Sequence, residues 1–182
     1  MIFKQLPLQG AYQIEIEQHG DERGFFARYW CKDEFKKYGL DTNIVQINNS
    51  MSINKGTLRG LHFQVPPVAE TKIIRCISGA IWDVMVDIRA GSPTFGQWFG
   101  TELNQENRSM LYVPKGFAHG FVSLSDFSEI IYLVSEFYSA DHEGCLHWDD
   151  MTVNINWPIP PTIISNKDQL GSVLLDIEPL KI

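Results

Sequence analysis

The sequence predicts an all-β protein in which short antiparallel strands form a sandwich or a barrel. Most of the chain consists of short strand-like runs separated by Gly, Pro, Asn and Asp, the residues that favour turns. Alternation is clearest in residues 81–88, where one face is apolar and the other carries Asp83 and Asp87 among apolar side chains. Such a mixed face is typical of a strand that lines a polar cavity or meets solvent, so Asp83 is a candidate interior residue.

One early helix interrupts the strands. Residues 32–38 carry acidic side chains in the first turn and lysines in the last, and Gly39 follows as a stop signal. Three prolines within residues 157–161 predict that the final segment extends across the barrel rather than joining it. Further strands are expected at residues 72–77, 110–113, 121–124 and 129–138, with turns at residues 66–67, 91–93 and 125–126.

Composition limits the class of protein. A chain of 182 residues that is 44% hydrophobic fits a single domain over residues 1–182. The formal net charge of −7, without a lysine–arginine cluster, argues against a nucleic-acid partner. No apolar run approaches the roughly 18 residues that span a bilayer, so we expect no membrane partner. Three cysteines without a CxxC spacing indicate neither a disulfide framework nor a zinc site and favour a cytoplasmic location.

Two strand-like segments each place a histidine shortly after a glycine. Residues 57–64 contain His62, two positions after a glycine, and residues 112–120 contain His119, three positions after another. Histidine titrates near neutral pH and can abstract or return a proton, while glycine lets the backbone approach a ligand closely. If both histidines line one cavity, the sequence predicts proton-transfer chemistry.

The glycine and histidine spacing also resembles the paired motifs of cupins. The resemblance rests on residues 79–83 and on Pro114-x-Gly116-x-x-His119, and it implies a cupin-type double-stranded β-helix, or jelly roll, with short peripheral helices. Metal-binding cupins carry two histidines and a glutamate in the first motif, whereas this chain has His62-Phe63-Gln64. A neutral amide is a poor substitute for imidazole at a transition metal, so we expect a pocket without a metal.

Within that class, the chain is similar to the dTDP-4-dehydrorhamnose 3,5-epimerases over nearly its whole length, from residues 21–26 to residues 165–168. The likeness consists of long motifs in the right order: Gln46-Ile47-Asn48, Leu58-Arg59-Gly60-Leu61-His62, Lys72, Trp82-Asp83-Val84, Ser92-Pro93-Thr94, residues 114–121, Tyr132, Tyr138 and Trp148-Asp149-Asp150. It implies cofactor-free epimerisation at C3, C5 or both of a dTDP-4-keto-6-deoxy-hexose, in deoxysugar or surface-polysaccharide synthesis. It also implies a homodimer.

The resemblance assigns catalytic roles that the reaction requires. A 4-ketone acidifies the neighbouring C–H bonds, so a base can remove a proton and an acid can return one to the opposite face. His62 corresponds to the base, held by Asp168 or by Asp83, and Tyr132 corresponds to the acid. Lys72, together with His119, would stabilise the enolate oxygen.

Contacts to the nucleotide sugar are also implied by the family. Arginine suits phosphate oxygens, amide side chains offer hydrogen bonds, and aromatic rings can stack on the base. In the family, N-terminal strands cross to the partner subunit, so Arg23 and Phe26 of one subunit would complete the neighbour's site. The implied contact residues are Arg23, Phe26, Gln46, Asn48, Arg59, His119, Tyr138, Glu143 and Lys167.

Three departures from the family pattern leave alternatives open. Arg28 stands where the family commonly has glutamate, Leu133 where it often has lysine, and Glu143-Gly144-Cys145 where Glu-Arg-Gly is more usual. Arg28 either alters recognition of the nucleotide or simply meets solvent or pairs with an acid such as Glu22. The alternatives are an epimerase acting at one carbon or on another nucleotide-linked sugar, a non-catalytic cupin that binds nucleotide sugars, and a metal-dependent cupin enzyme, which Gln64 disfavours.

Overall fold

Fourteen β-strands and two short α-helices make up the protein, which a computed structural model describes over all residues 1–182. The first strands are β1 (Ile2–Gln5), β2 (Tyr12–Glu15), β3 (Gln18–Asp21), β4 (Gly24–Ala27), β5 (Gln46–Ser52), β6 (Thr57–Gln64), β7 (Lys72–Ser78) and β8 (Ala80–Asp87). The later strands are β9 (Trp98–Asn104), β10 (Met110–Val113), β11 (Phe117–Ser123), β12 (Ser128–Val134), β13 (Glu143–Cys145) and β14 (Ile163–Ile164). The helices are α1 (Lys32–Lys37) and α2 (Asn166–Gln169). No helix is both long and apolar enough to cross a membrane.

The strands form two large antiparallel sheets that pack face to face. One sheet has the order β1-β2-β10-β7-β12-β5, and the other has the order β13-β6-β11-β8-β9. β3 and β4 form a separate hairpin. Most hydrogen-bonded neighbours are distant in sequence because the chain crosses repeatedly between the sheets, as it does in a jelly roll. The predicted all-β jelly roll with short peripheral helices is therefore confirmed.

Apolar side chains from both sheets fill the space between them. This central core includes Ile74, Leu111 and Ile130 from one sheet and Met85, Leu103, Phe117 and Phe121 from the other. The outer faces are covered as well: α1 packs Phe35 onto the first sheet, and the C-terminal segment packs Leu174 and Leu180 onto the second. The mixed face of β8 is consequently buried, with Asp83 fully enclosed as an interior residue.

A polar network closes the turn that follows β8. The fully buried carboxylate of Asp87 accepts hydrogen bonds from Arg89 Nη2 at 2.7 Å, from Ser92 Oγ at 2.6 Å and from Thr94 Oγ1 at 2.6 Å. A buried carboxylate requires such partners, because an unpaired charge is costly away from water. Ser92-Pro93-Thr94, one of the motifs on which the family resemblance rests, therefore has a structural role.

The C-terminal segment only partly follows the expectation that it crosses the barrel without joining it. β14 pairs in parallel with the start of β6, with Ile163 opposite Thr57, so that expectation is wrong for this stretch. The prolines end at residue 161, and the next amide groups, those of Thr162 and Ile163, both donate to the Gly56 carbonyl. Since proline no longer removes donors there, the chain can add a short strand and lead α2 to Gly60 and His62 of β6.

Candidate active site

A cavity of about 480 Å³ lies between the two sheets, and an adjoining cavity of about 290 Å³ continues it. His62 from β6 and His119 from β11 approach the first cavity from one sheet. Lys72 from β7 and Tyr132 from β12 approach it from the other. His62, Lys72 and Tyr132 also line the second cavity. The structure thus brings both predicted histidines and the two other candidate catalytic groups to one place.

Glycines allow β6 and β11 to approach closely at this point. His62 lies directly opposite His119 in the antiparallel pair. Next to them, a Cβ atom on Gly60 would lie 2.5 Å from Gly120 Cα, and one on Gly120 would lie 2.6 Å from Arg59 O. Gly60 also has a φ of +126°, which side chains of L-residues rarely adopt. No larger residue fits at either position without shifting the backbone that carries the histidines.

His62 forms a dyad with Asp168. The distance from His62 Nε2 to Asp168 Oδ1 is 2.7 Å. An ionised carboxylate only accepts hydrogen bonds, so Nε2 carries the proton and Nδ1 keeps the lone pair. Ser165 caps α2 by accepting a hydrogen bond from the Asp168 amide, which fixes the helix that carries the carboxylate. Of the two carboxylates considered from sequence for this position, the structure places Asp168 there and not Asp83.

Burial of the ring controls the charge of His62. Desolvation lowers the pKa of His62 below its ordinary value of 6.5, and the hydrogen bond to Asp168 opposes this shift without cancelling it. The imidazole is therefore neutral at pH 7, with a free lone pair, as a general base requires.

Asp83 instead holds the second histidine. His119 Nε2 lies 2.8 Å from Asp83 Oδ1, and both side chains are buried. The other carboxylate oxygen of Asp83 is buried without a hydrogen-bond partner. The site therefore contains two separate histidine–aspartate pairs, one on each of two neighbouring strands.

Lys72 pairs with a carboxylate that the sequence analysis did not identify. Lys72 Nζ lies 3.2 Å from Glu70 Oε1 and 3.5 Å from the carbonyl oxygen of His62. Both charged side chains are only 12% exposed. Glu70 lies two positions before Lys72, and residues two positions apart in an extended segment point to the same side, so the sequence could have suggested this pair. It was missed because Glu70 precedes the predicted strand.

Tyr132 is half-buried and its hydroxyl makes no hydrogen bond within the chain. Desolvation, followed by the nearby charge of Glu70, raises the pKa of Tyr132 above its ordinary value of 10, although Arg59 acts in the opposite direction. The phenol is therefore protonated throughout the neutral range and can donate a proton.

The second cavity is polar and contains several of the residues expected to contact substrate. Gln46 and Asn48 from β5 line it with Tyr138 and Glu143. Glu143 accepts hydrogen bonds from Tyr138 Oη at 2.8 Å and from Lys167 Nζ. Burial acts to raise the pKa of Glu143, but these hydrogen bonds outweigh it and hold the pKa below the ordinary value.

Arg59 and Lys167 line the first cavity instead. The exposed Arg59 side chain donates to Met51 O at 3.1 Å. Two cationic side chains thus lie on the same cavity as His62, in a position suited to an anionic group of a ligand.

Gln64, which stands where a metal-binding cupin has a ligand, serves the fold. Its Nε2 donates to Val68 O and Phe137 O, and its Oε1 accepts from the Ser139 amide at 2.6 Å. The side chain is 3% exposed, and all three contacts tie β6 to neighbouring loops. Because these hydrogen bonds occupy the amide, Gln64 is poorly suited to bind a metal.

Three residues that the sequence suggested for contact with the nucleotide sugar lie away from both cavities. Arg23 and Phe26 belong to the β3–β4 hairpin, where Arg23 pairs with Asp21 and Phe26 is 70% exposed. Arg28 pairs with Glu34 on α1, at 2.8 Å, and not with Glu22. In the single subunit, therefore, neither Arg23 nor Phe26 reaches its own site.

One group of metal-ligating side chains lies at the dyad. The donor atoms of His62, Cys145 and Asp168 all lie within 4.8 Å of one another. Desolvation, followed by the nearby charge of Asp168, raises the pKa of the Cys145 thiol to about 11, so it is protonated at neutral pH. All three cysteines of the chain are free thiols.

Known proteins resemble this chain over most of its length. A family model described as dTDP-4-dehydrorhamnose 3,5-epimerase matches residues 5–176. An epimerase of that name from Sinorhizobium fredii is 46% identical over 178 residues, covering 97% of this chain and 91% of its own. A crystal structure of the Elizabethkingia anophelis enzyme superposes with a TM-score of 0.95 at 40% identity and covers 98% of both chains.

A related structure is that of a 3′-monoepimerase from Streptomyces bikiniensis in complex with dTDP-quinovose. It has a TM-score of 0.85 and 33% identity, and the match covers 93% of this chain and 86% of that one. The match of the family model over most of the chain, together with the close relatives, shows that this protein belongs to the dTDP-4-dehydrorhamnose 3,5-epimerase family.

Proposed function

We propose that the protein epimerises C3 and C5 of a dTDP-4-keto-6-deoxy-hexose in deoxysugar synthesis, and that it does so in the cytoplasm. The observation that supports this most strongly is the His62–Asp168 dyad on one wall of a cavity whose opposite wall carries Tyr132 and Lys72. Inversion at carbon needs a base and an acid on opposite faces of the substrate, and these walls belong to opposite sheets.

His62 is the proposed base. Its Nδ1 lone pair removes the proton from the carbon next to the 4-ketone, and the resulting imidazolium is stabilised by Asp168 at Nε2. Neutrality of His62 at pH 7, which follows from its lowered pKa, keeps this lone pair available.

Lys72 is proposed to stabilise the negative charge that develops on the C4 oxygen, with His119 as a second donor. Both line the first cavity, and preorganised charge of this kind is often the largest catalytic contribution. Tyr132 then returns a proton to the opposite face of the carbon. Its raised pKa keeps the hydroxyl protonated until that step.

The nucleotide is proposed to contact Arg59 and Lys167 through its diphosphate. Gln46, Asn48 and Glu143 offer hydrogen bonds, and the ring of the exposed Tyr138 can stack on the base or the sugar. Arg23 and Phe26 are proposed to come from a partner subunit, which requires a homodimer.

Exchange with deuterated water tests this function directly. dTDP-4-keto-6-deoxyglucose is incubated in D₂O with the enzyme, and NMR follows deuterium and configuration at each carbon. We expect deuterium with inversion at C3 and C5, no exchange with His62→Ala, and exchange without inversion with Tyr132→Phe. An absence of any exchange in the wild type would favour a non-catalytic nucleotide-sugar binder.

A single-carbon reaction is the second candidate, because one structural relative is a 3′-monoepimerase. The same NMR measurement separates the two reactions, since deuterium would then enter C3 alone. The four proposed catalytic residues fit either outcome, because each proton transfer requires the same base, acid and oxyanion contacts.

The proposed reaction requires no metal cofactor. Lys72 already supplies the positive charge at the enolate oxygen, and the amide of Gln64 is engaged by backbone groups. We expect the turnover rate to be unchanged after treatment with EDTA and dialysis. A stoichiometric metal that is lost together with activity would contradict this prediction.

A further inference from the structure

Cys145 lies next to the catalytic dyad as a consequence of strand register. β13 pairs with β6 so that Cys145 is directly opposite His62. Side chains of directly opposed residues point to the same face of a sheet, with Cβ atoms about 4.5–5.5 Å apart. α2 adds Asp168 to this pair, because its carboxylate is hydrogen-bonded to His62.

The three side chains form a donor set suited to a thiophilic cation. Imidazole nitrogen, thiolate sulfur and carboxylate oxygen are all ligands of Zn²⁺, and tetrahedral coordination separates such donors by roughly 3.3–3.6 Å. The present donors lie within 4.8 Å of one another, with His62 and Asp168 at 2.7 Å, so movements of about 1 Å would complete the geometry. The two nearby positive charges are each offset by a carboxylate, because Lys72 pairs with Glu70 at 3.2 Å and Lys167 pairs with Glu143.

We propose that His62, Cys145 and Asp168 form a binding site for one thiophilic divalent cation of the Zn²⁺ and Cd²⁺ class, and that occupancy of this site inhibits the enzyme. The cation binds His62 Nε2, Cys145 Sγ and Asp168 Oδ1, and water completes its coordination. This is an inhibitory site and not a cofactor site, because the ligands include the proposed base.

Proton balance explains the inhibition. The thiol proton of Cys145 leaves to solvent. The single ring proton of His62 moves from Nε2 to Nδ1 through solvent, and the cation binds the lone pair that this frees on Nε2. The ring stays neutral, but Nδ1 no longer has a lone pair for the substrate. The inhibitory consequence rests on the proposed role of His62, whereas the binding of the cation does not.

Metal binding is measured first on the substrate-free protein. Calorimetric titration with CdCl₂ should give one site for the wild type, accompanied by the ultraviolet charge-transfer absorption of a cadmium–thiolate bond. Cys145→Ala should weaken binding at least tenfold and abolish the absorption. If the alanine variant folds poorly, Cys145→Ser is used in its place, and the same result is expected. Cys31→Ser, which removes a thiol distant from the dyad, should change neither, and MgCl₂ should not bind.

Activity is measured next. CdCl₂ and ZnCl₂ should inhibit the wild type reversibly, with activity restored by EDTA, and Cys145→Ala should be active but at least tenfold less sensitive. Equal binding by wild type and Cys145→Ala, or the absence of a thiolate absorption in the wild type, would overturn the proposed site. If the cation binds at Cys145 but does not inhibit an active enzyme, only the inhibitory role is overturned. If the protein binds Cd²⁺ but never turns over substrate, the proposed function is refuted instead.

Discussion

Asp168 determines which nitrogen of His62 is free to react, because its Oδ1 accepts a hydrogen bond from His62 Nε2 at 2.7 Å. Asparagine at this position can donate a hydrogen bond to Nε2, which would leave Nδ1 protonated and useless as a base. We expect Asp168→Asn to reduce kcat by about 10²–10⁴-fold, by analogy with the general effect of a wrong histidine tautomer. Steady-state kinetics on the purified variant would measure this.

The pH profile adds a second readout for Asp168. Its hydrogen bond raises the pKa of His62, so its loss should lower that pKa further and move the acid limb of kcat/KM to lower pH. Asp83→Asn is the matched comparison, because Asp83 holds His119 instead and should not move this limb. An acid limb that stayed in place in Asp168→Asn would argue against His62 as the base.

Glu70 has a separate effect on the acid side of the reaction. Its charge contributes to the raised pKa of Tyr132, and loss of the Tyr132 proton is expected to produce the basic limb of the pH profile. Glu70→Gln should therefore shift the basic limb to lower pH, with a change in kcat as Lys72 loses its partner. Glu106→Gln, an exposed carboxylate, serves as the control, and an unshifted limb in Glu70→Gln would exclude Tyr132 as its origin.

The local sequence predicted the positions of the strands well, but it did not predict which strands pair with each other. β10 has the bounds expected from alternation, and α1 begins at Lys32 as expected from its charges. β11 begins at Phe117, earlier than predicted, because Gly120 lies inside a strand that approaches β6 closely. The pairing of His62 with Asp168 joins residues 106 positions apart, so only the family resemblance, and not local pattern, could suggest it.

The polar network in the turn after β8 can be tested for its contribution to stability. Asp87→Asn would leave Arg89, only 18% exposed, without a charged partner and would weaken the bonds from Ser92 and Thr94. We expect a loss of about 2–4 kcal/mol in the free energy of unfolding, measured by urea denaturation at pH 7. Asp141→Asn, at an exposed site, should change stability by less than about 0.5 kcal/mol.

The hydrogen bonds to Asp87 also predict how the stability difference between wild type and Asp87→Asn depends on pH. Burial acts to raise the pKa of Asp87, but its hydrogen bonds outweigh burial and hold the pKa below the ordinary value of 3.8. Because the folded pKa is lower than the unfolded one, the carboxylate stabilises the protein above pH 3.8, and this contribution is lost as the pH falls through the folded value. The gap between wild type and Asp87→Asn should therefore narrow in acid, and a constant gap would contradict the assignment.

A single subunit leaves several large apolar side chains exposed to solvent. Phe26 is 70% exposed on the β3–β4 hairpin, and Ile47 and Ile53, at 65% and 60%, are exposed on and just beyond β5, which is an edge strand of its sheet. Exposed apolar surface along an edge strand is typical of an interface. A homodimer in which the hairpin reaches the neighbouring site would bury this surface and bring Arg23 to a substrate.

Subunit complementation tests that arrangement. Arg23→Ala and His62→Ala are each expected to form poorly active homodimers, the first because a phosphate contact is lost and the second because the base is absent. In a mixed dimer, the site in the Arg23→Ala subunit keeps its own His62 and receives an intact Arg23 from its partner. Unfolding and refolding an equimolar mixture should therefore restore about one quarter of the wild-type activity, since half of the dimers are mixed and each has one complete site. If Arg23 served its own subunit, neither site of a mixed dimer would be complete and the mixture would gain nothing. Sedimentation of the same sample would show whether the subunits had associated, so a fully active monomer would refute the shared site.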